Sequence, residues 1–195
     1  MKSAGACDED RGEFWIANPW KVIHTKRNLS AFEANQVFLN VGDRRFANIS
    51  YLTTADSDGD GRGAAIADVN GDLQPDLLVR QSGGGPLLVF ENRFPAKSRL
   101  EVSLRGTRSN SLGIGARVVA QVADRRIVRQ LYPQNNFAVA QASCVRFGLG
   151  DAKAVDVTIH WPSGAVQRLG GVPTGTHIRV TEGKPEFETL LRAKR

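Results

Sequence analysis

Nine residues, Asp68-Val-Asn-Gly-Asp-Leu-Gln-Pro-Asp76, set side-chain oxygens at alternate positions of a short loop. A hard cation such as calcium takes about six to eight oxygen ligands, so a loop that holds one must turn several oxygens inward within a few residues. Asp68, Asn70 and Asp72 supply offsets one, three and five, Gln74 at seven can offer its backbone carbonyl, and Asp76 at nine closes the ring. Gly71 permits the sharp bend between ligands because a positive φ costs it little. Three carboxylates so close together repel, and a divalent ion offsets that repulsion. Asp, Asn and Gly are also ordinary turn residues, which is the plainer reading. The expectation is a calcium site, with calcium preferred to magnesium because magnesium tends to keep its waters.

Asp56-Ser-Asp58-Gly-Asp60-Gly repeats the alternation upstream, but its ninth position is Ala64, so the closing carboxylate is missing. A solvated turn, an outer contribution to the first ion and a second calcium all remain open for Asp56, Asp58 and Asp60.

Other chemistry is sparse. His24, His160 and His177 lack the close spacings of a zinc site. No Gly-x-Ser-x-Gly elbow is present. Gly113-Ile-Gly-Ala lacks the third glycine and the βαβ setting of a dinucleotide loop, so it reads as a bend into a strand. Trp161, in His160-Trp-Pro-Ser-Gly, is a candidate sugar platform but more ordinarily a core residue. No catalytic or cofactor-binding residue is expected.

The elements that must position the acidic loop are strands. Apolar runs at 36–40, 46–52, 63–67, 77–80 and 86–92 are bounded by Gly, Pro, Asn or Asp, and predict one four-stranded, propeller-like blade over residues 35–94. Pro95 and its polar neighbours mark a boundary. Alternating runs at 100–104, 116–122, 126–132, 143–147, 156–161 and 176–180 predict a β-sandwich or open barrel over 95–184. The predicted fold class is all-β, the blade packed on that second domain. Residues 1–34, with Phe14, Trp15, Ile16 and Trp20, are expected to pack on the blade and cover an edge strand. Ser30-Ala-Phe-Glu suggests a capping box, and the tail 185–195 a final helical segment.

The chain of 195 residues carries a net charge of +6, unevenly placed. Residues 1–100 hold 12 basic and 13 acidic groups, and residues 101–195 hold 14 and 7. The arginines of the second half are dispersed along strands without interleaved aromatics, so a solvated basic face is expected and no specific nucleic-acid partner. No apolar run approaches the roughly 20 residues of a membrane span. Cys7 and Cys144 are open to pairing or to separate thiol roles.

Phe38-Leu-Asn-Val-Gly-Asp-Arg-Arg-Phe-Ala-Asn-Ile-Ser50, followed by Asp60-Gly-Arg-Gly-Ala-Ala-Ile-Ala-Asp-Val-Asn-Gly-Asp-Leu-Gln-Pro-Asp-Leu77, resembles the FG-GAP or VCBS repeat of integrin-type propellers. Ser109-Asn-Ser-Leu-Gly-Ile-Gly-Ala-Arg-Val118, then Phe147-Gly-Leu-Gly and His160-Trp-Pro-Ser-Gly, resembles the ASPIC/UnbV domain of cartilage acidic protein and many bacterial secreted proteins. The first resemblance implies calcium at Asp68, Asn70, Asp72, Gln74 and Asp76. It also shows two departures: Leu73 replaces the usual glycine after the third ligand, and Pro75 precedes the last. Together the resemblances imply an extracellular or periplasmic protein and supply no catalytic mechanism.

The resulting expectation is a calcium-stabilised binding or adhesion module, not an enzyme, with a protein or glycan partner. Two alternatives stand beside it. One is a carbohydrate-active enzyme or accessory domain, for which Glu101, Asp124, Asp151 and Asp156 give no evident carboxylate pair. The other is a subunit of an extracellular assembly, self-associating through open blade edges.

Overall fold

The computed structural model describes residues 34–57, 61–81, 86–132, 135–136 and 139–193. Strands dominate, as the alternating sequence requires, and the described residues fall into two compact units. The first holds the described parts of Met1–Ala65, Leu78–Phe90 and Phe137–Val139; the second holds the described parts of Ile66–Leu77, Glu91–Asn136 and Ala140–Arg195.

In the first unit β1 (Phe38–Gly42) and β2 (Arg45–Asn48) form an antiparallel hairpin. Asp43 and Arg44 at its tip both take positive φ, +48° and +59°, the twist that a two-residue hairpin turn demands. A single helical turn, α1 (Ser50–Thr53), follows. The Ser50 hydroxyl accepts the Val37 N–H at 2.8 Å, and Ile49 N–H donates to Val37 O at 2.9 Å. These bonds fold the chain back at the foot of the hairpin and take it out of the pleat. Three more strands, β3 (Gly61–Ala67), β4 (Asp76–Gln81) and β5 (Leu88–Phe90), make a separate sheet in the order β3-β4-β5. The region expected to be one four-stranded blade is therefore a hairpin and a three-stranded sheet, because the α1 turn ends the first ladder.

The second unit is a β-sandwich. One sheet has the order β11-β6-β14-β15, from β6 (Ser98–Arg105), β11 (Cys144–Gly150), β14 (Thr176–Thr181) and β15 (Phe187–Arg192). The other has the order β13-β12-β7-β8, from β7 (Arg117–Val122), β8 (Arg125–Gln130), β12 (Ala154–His160) and β13 (Val166–Pro173). A two-residue pair, β9 (Asn135–Asn136) with β10 (Val139–Ala140), completes the strands. Every other residue of the central strands points inward: Leu100, Val102 and Leu104 from β6, Val118 and Ala120 from β7, Val157 and Ile159 from β12, Ile178 and Val180 from β14. Phe147, Trp161 and Leu169 fill the same core. Trp161, 3% exposed, is thus a core residue and not a sugar platform.

The tail 185–195, expected to be helical, instead supplies β15, antiparallel to β14. The packing of Phe187 against the core and the free edge of β14 outweigh the weak helical preference of this segment. Cys144 is buried, its thiol pushed up by burial; Cys7, whose pairing with it the sequence leaves open, the Ser30 capping box and most of the 1–34 extension lie outside the described residues. No helix among the described residues is long and apolar enough to cross a membrane.

Candidate functional site

The acidic loop runs from the end of β3 to the start of β4 and belongs to the second unit. Its oxygens turn onto its own backbone. Asp68 Oδ1 accepts the N–H groups of Gly71 at 2.7 Å and Asp72 at 3.1 Å, and its Oδ2 accepts Leu73 N–H at 2.8 Å. Asn70 Oδ1 accepts Asp72 N–H at 3.0 Å, and Asp72 Oδ1 accepts Gln74 N–H. Asn70 Nδ2 lies 3.3 Å from Asp72 Oδ2 and 3.4 Å from Glu91 Oε1. The loop thus brings Asp68, Asn70 and Asp72 together, and adds Glu91, which no sequence spacing marked.

Asp76 plays a different part. It is fully buried, and its two oxygens accept Val69 N–H at 2.9 Å and Asn92 N–H at 2.8 Å. Asn92 also donates to Pro75 O at 3.2 Å. Asp76 therefore ties the start of the loop to the chain that follows β5. Asp58 and Asp60 of the weaker cluster lie outside the described residues.

Leu73 takes φ +63° with its side chain 2% exposed. A left-handed residue other than glycine costs about 1–2 kcal/mol, which burial of a leucine offsets. The departure from glycine is a packing choice.

Two features bear on a cation. The repulsion among the carboxylates is eased by backbone N–H donors and by Arg99, whose Nη2 lies 3.3 Å from Asp72 O. Burial lowers the Arg99 pKa, and Asp72, Asp68 and Glu101 act against that shift. Among the described residues no three His, Cys, Asp or Glu side chains gather as a metal would need. An ion here would draw on Asp68 and Asp72, the Asn70 amide oxygen and backbone carbonyls. That all-oxygen set suits a hard cation: Asp68 Oδ2, Asn70 Oδ1 and Asp72 Oδ1 each accept one N–H and keep a second lone pair, whereas Asp68 Oδ1 already accepts two.

A second polar centre, missed in the sequence, is Glu182. It follows β14 and is 3% exposed. Its Oε2 accepts three successive backbone donors, Thr107 at 2.9 Å, Arg108 at 2.8 Å and Ser109 at 2.7 Å. Its Oε1 accepts the hydroxyls of Ser109, at 3.0 Å, and Ser163. Burial alone would raise this carboxyl; the bonds from Ser163, Ser109, Arg108 and Thr107 outweigh it and hold the group far below the ordinary range. Nearby, Gly113 takes φ +66°, and a Cβ there would lie 2.7 Å from Leu104 Cβ and 3.3 Å from a Trp161 ring carbon. The motifs at 109–115 and 160–164 thus meet around one buried carboxylate. Only the strand register reveals that; a lone Glu-Gly after a strand gives no signal.

A third cluster lies on the outward face of the β11-β6-β14-β15 sheet. Arg146 Nε donates to Glu101 Oε1 at 2.8 Å, Glu101 Oε2 is 3.8 Å from His177 Nδ1, and His177 Nε2 is 2.8 Å from Ser103 Oγ. The order is that of an acid, base and nucleophile. Yet Ser103 stands within a central strand paired on both sides, to Cys144 and Arg179, with no strained turn to expose it. Glu101 is committed to Arg146. The arrangement is a half-buried polar network built on the Glu101–Arg146 ion pair.

These observations define a β-sandwich with carboxylate-pinned loops. Residues 106–186 match the family model ASPIC and UnbV. The matched segment omits β6, although β6 lies between β11 and β14 and contributes Leu100, Val102 and Leu104 to the core. It also ends before β15. No curated protein matches the chain.

Proposed function

We propose that this chain is a non-catalytic, extracellular or periplasmic binding module in which calcium in the Asp68–Asp76 loop acts as a structural clasp. The observation that carries the reading is the inward turn of Asp68, Asn70 and Asp72, at alternate positions, onto the loop backbone. The resemblance of residues 38–50 and 60–77 to FG-GAP or VCBS repeats supports it, as does the ASPIC and UnbV match that follows. Calcium would bridge Asp68, Asn70 and Asp72 within the β3–β4 loop and stiffen it. The partner would then meet a surface elsewhere.

Thermal melting with calcium and with chelator tests the clasp. At about 100 times the dissociation constant, a ligand of the native state adds about 2.7 kcal/mol, a rise of roughly 5–10 °C for a chain of this size. Asp72→Asn should remove that rise. A wild-type midpoint unmoved by calcium would overturn the reading.

A companion reading, assembly through open edges, is favoured by one observation. Phe38, Phe46, Tyr51 and Leu52 of the first unit are 55%, 63%, 75% and 66% exposed. Light scattering over a range of concentrations tests it: a constant monomer mass would reject it.

A further inference from the structure

The outward face of the β13-β12-β7-β8 sheet carries a set of cations that no described acid neutralises one for one. Antiparallel registers place its residues in rows. One row reads Gln130, Arg117, His160 and Val166 across β8, β7, β12 and β13. The next reads Val128, Val119, Thr158 and Arg168, and the third begins Arg126, Gln121 and Asp156. Arg117, Arg126 and Arg168 are all exposed, and among the described residues none has an ion pair or side-chain hydrogen bond. Among the described residues of these rows the acid is Asp156, and it accepts Gly171 N–H at 2.8 Å. His160 is held below its ordinary value, first by burial and then by Arg117, Arg126 and Arg168, so the three guanidiniums act on one region.

We infer that this face binds an acidic polysaccharide, through uronate or sulfate groups held by Arg117, Arg126 and Arg168. The inference rests on the binding-module reading and names its partner class. Strand spacing of about 4.8 Å and a rise of about 3.4 Å per residue put the three Cα atoms roughly 12–16 Å apart. A single small anion cannot engage such a triangle; a chain of regularly spaced anions can. Arginine forks pair with planar carboxylates and with sulfates through two N–H bonds. Between the cations stand Thr158, Gln121, Gln130 and His160, neutral donors and acceptors suited to sugar hydroxyls.

Other polyanions fit less well. Among the described residues the face has no helix to enter a duplex groove and no run of aromatics to stack unpaired bases; Tyr132, 57% exposed, donates its hydroxyl to Gln130. An extended acidic peptide would add to a sheet edge, where backbone groups are free, and not to a face.

The test uses the full chain and four probes: polygalacturonate, dextran sulfate, neutral dextran and a duplex DNA oligonucleotide, each titrated at several salt concentrations. Two variants are compared, Arg117→Gln/Arg126→Gln/Arg168→Gln and a charge-matched control, Arg45→Gln/Lys153→Gln/Arg192→Gln, all exposed positions. The expected result is binding of one or both acidic polysaccharides, silence with neutral dextran, and a loss of about tenfold or more confined to the first variant. Its salt slope should fall by roughly one for each lost contact. Polygalacturonate alone would assign uronate recognition, and dextran sulfate alone sulfate recognition. Equal loss in both variants, tighter binding of DNA than of either polysaccharide, or no binding to any polyanion would overturn the inference. Binding that persists while calcium leaves the melting midpoint unchanged would sink the clasp and leave this face standing.

Discussion

Ser109 N–H donates to Glu182 Oε2 at 2.7 Å, and the Ser109 hydroxyl donates to Oε1 of the same carboxylate at 3.0 Å. One residue therefore grips both oxygens, while Thr107 and Arg108 add their own N–H groups. The carboxylate substitutes for water to a whole loop, and the sandwich loops 106–116 and 161–165 are held by a charge contributed from the far end of the sequence.

Glu182→Gln should lower the melting midpoint at pH 7 by on the order of 5–10 °C, since a neutral amide with one acceptor cannot satisfy five donors. The pH dependence has a definite sign. The folded-state pKa of Glu182 is depressed from its ordinary 4.5, so its contribution is whole above that value and drains away as pH falls through the folded-state value. Denaturation of both proteins between pH 7 and pH 2 should therefore show their difference shrinking below pH 4.5. A constant difference would reject the mechanism.

His177 titrates against the fold in the opposite range. Burial lowers its pKa from 6.5, Glu101 acts to raise it, and Arg146 and Arg179 lower it further. The unfolded chain takes up the proton first, so stability should decline as pH drops below 6.5. Proton NMR of the imidazole should give a midpoint under 6.5, and His177→Gln should flatten the stability curve between about pH 6.5 and 5. A midpoint above 6.5 would contradict the network described.

Gly113→Ala and Gly164→Ala separate steric crowding from backbone strain. Both glycines have positive φ, +66° and +89°, but the added Cβ at Gly113 meets Leu104 and Trp161, whereas at Gly164 it meets nothing within 4 Å. Urea denaturation should show a loss of about 1–2 kcal/mol at Gly164 and about 3–4 kcal/mol at Gly113. Equal losses would mean that the Leu104 and Trp161 side chains yield freely.

Leu73→Gly sets two effects against each other. Removing the left-handed strain returns about 1 kcal/mol, and removing a buried leucine side chain costs about 2–4 kcal/mol. The net prediction is destabilisation of about 1–3 kcal/mol by chemical denaturation. A gain in stability would show that glycine is the better residue here.

Much of this was legible in the linear chain. Alternation in Leu100-Glu-Val-Ser-Leu104 marked β6 because a half-buried strand must place every second side chain in the core. Spacing in Asp68-Val-Asn-Gly-Asp72 marked a loop whose oxygens turn inward, because Asp and Asn bond the backbone two or three residues ahead. Those are local interactions, and local sequence contains them. The end of one ladder at Ser50, the strand formed by Phe187–Arg192 and the burial of Trp161 depended on what each segment met in space. Glu182 is the clearest case: its three backbone donors, Thr107, Arg108 and Ser109, lie more than 70 residues away in sequence, joined only when β14 runs parallel beside β6. The arginines of β7, β8 and β13 were likewise visible as dispersed positive charges; sheet register alone put Arg117, Arg126 and Arg168 on one face, since the pleat assigns sides only after the strands have paired.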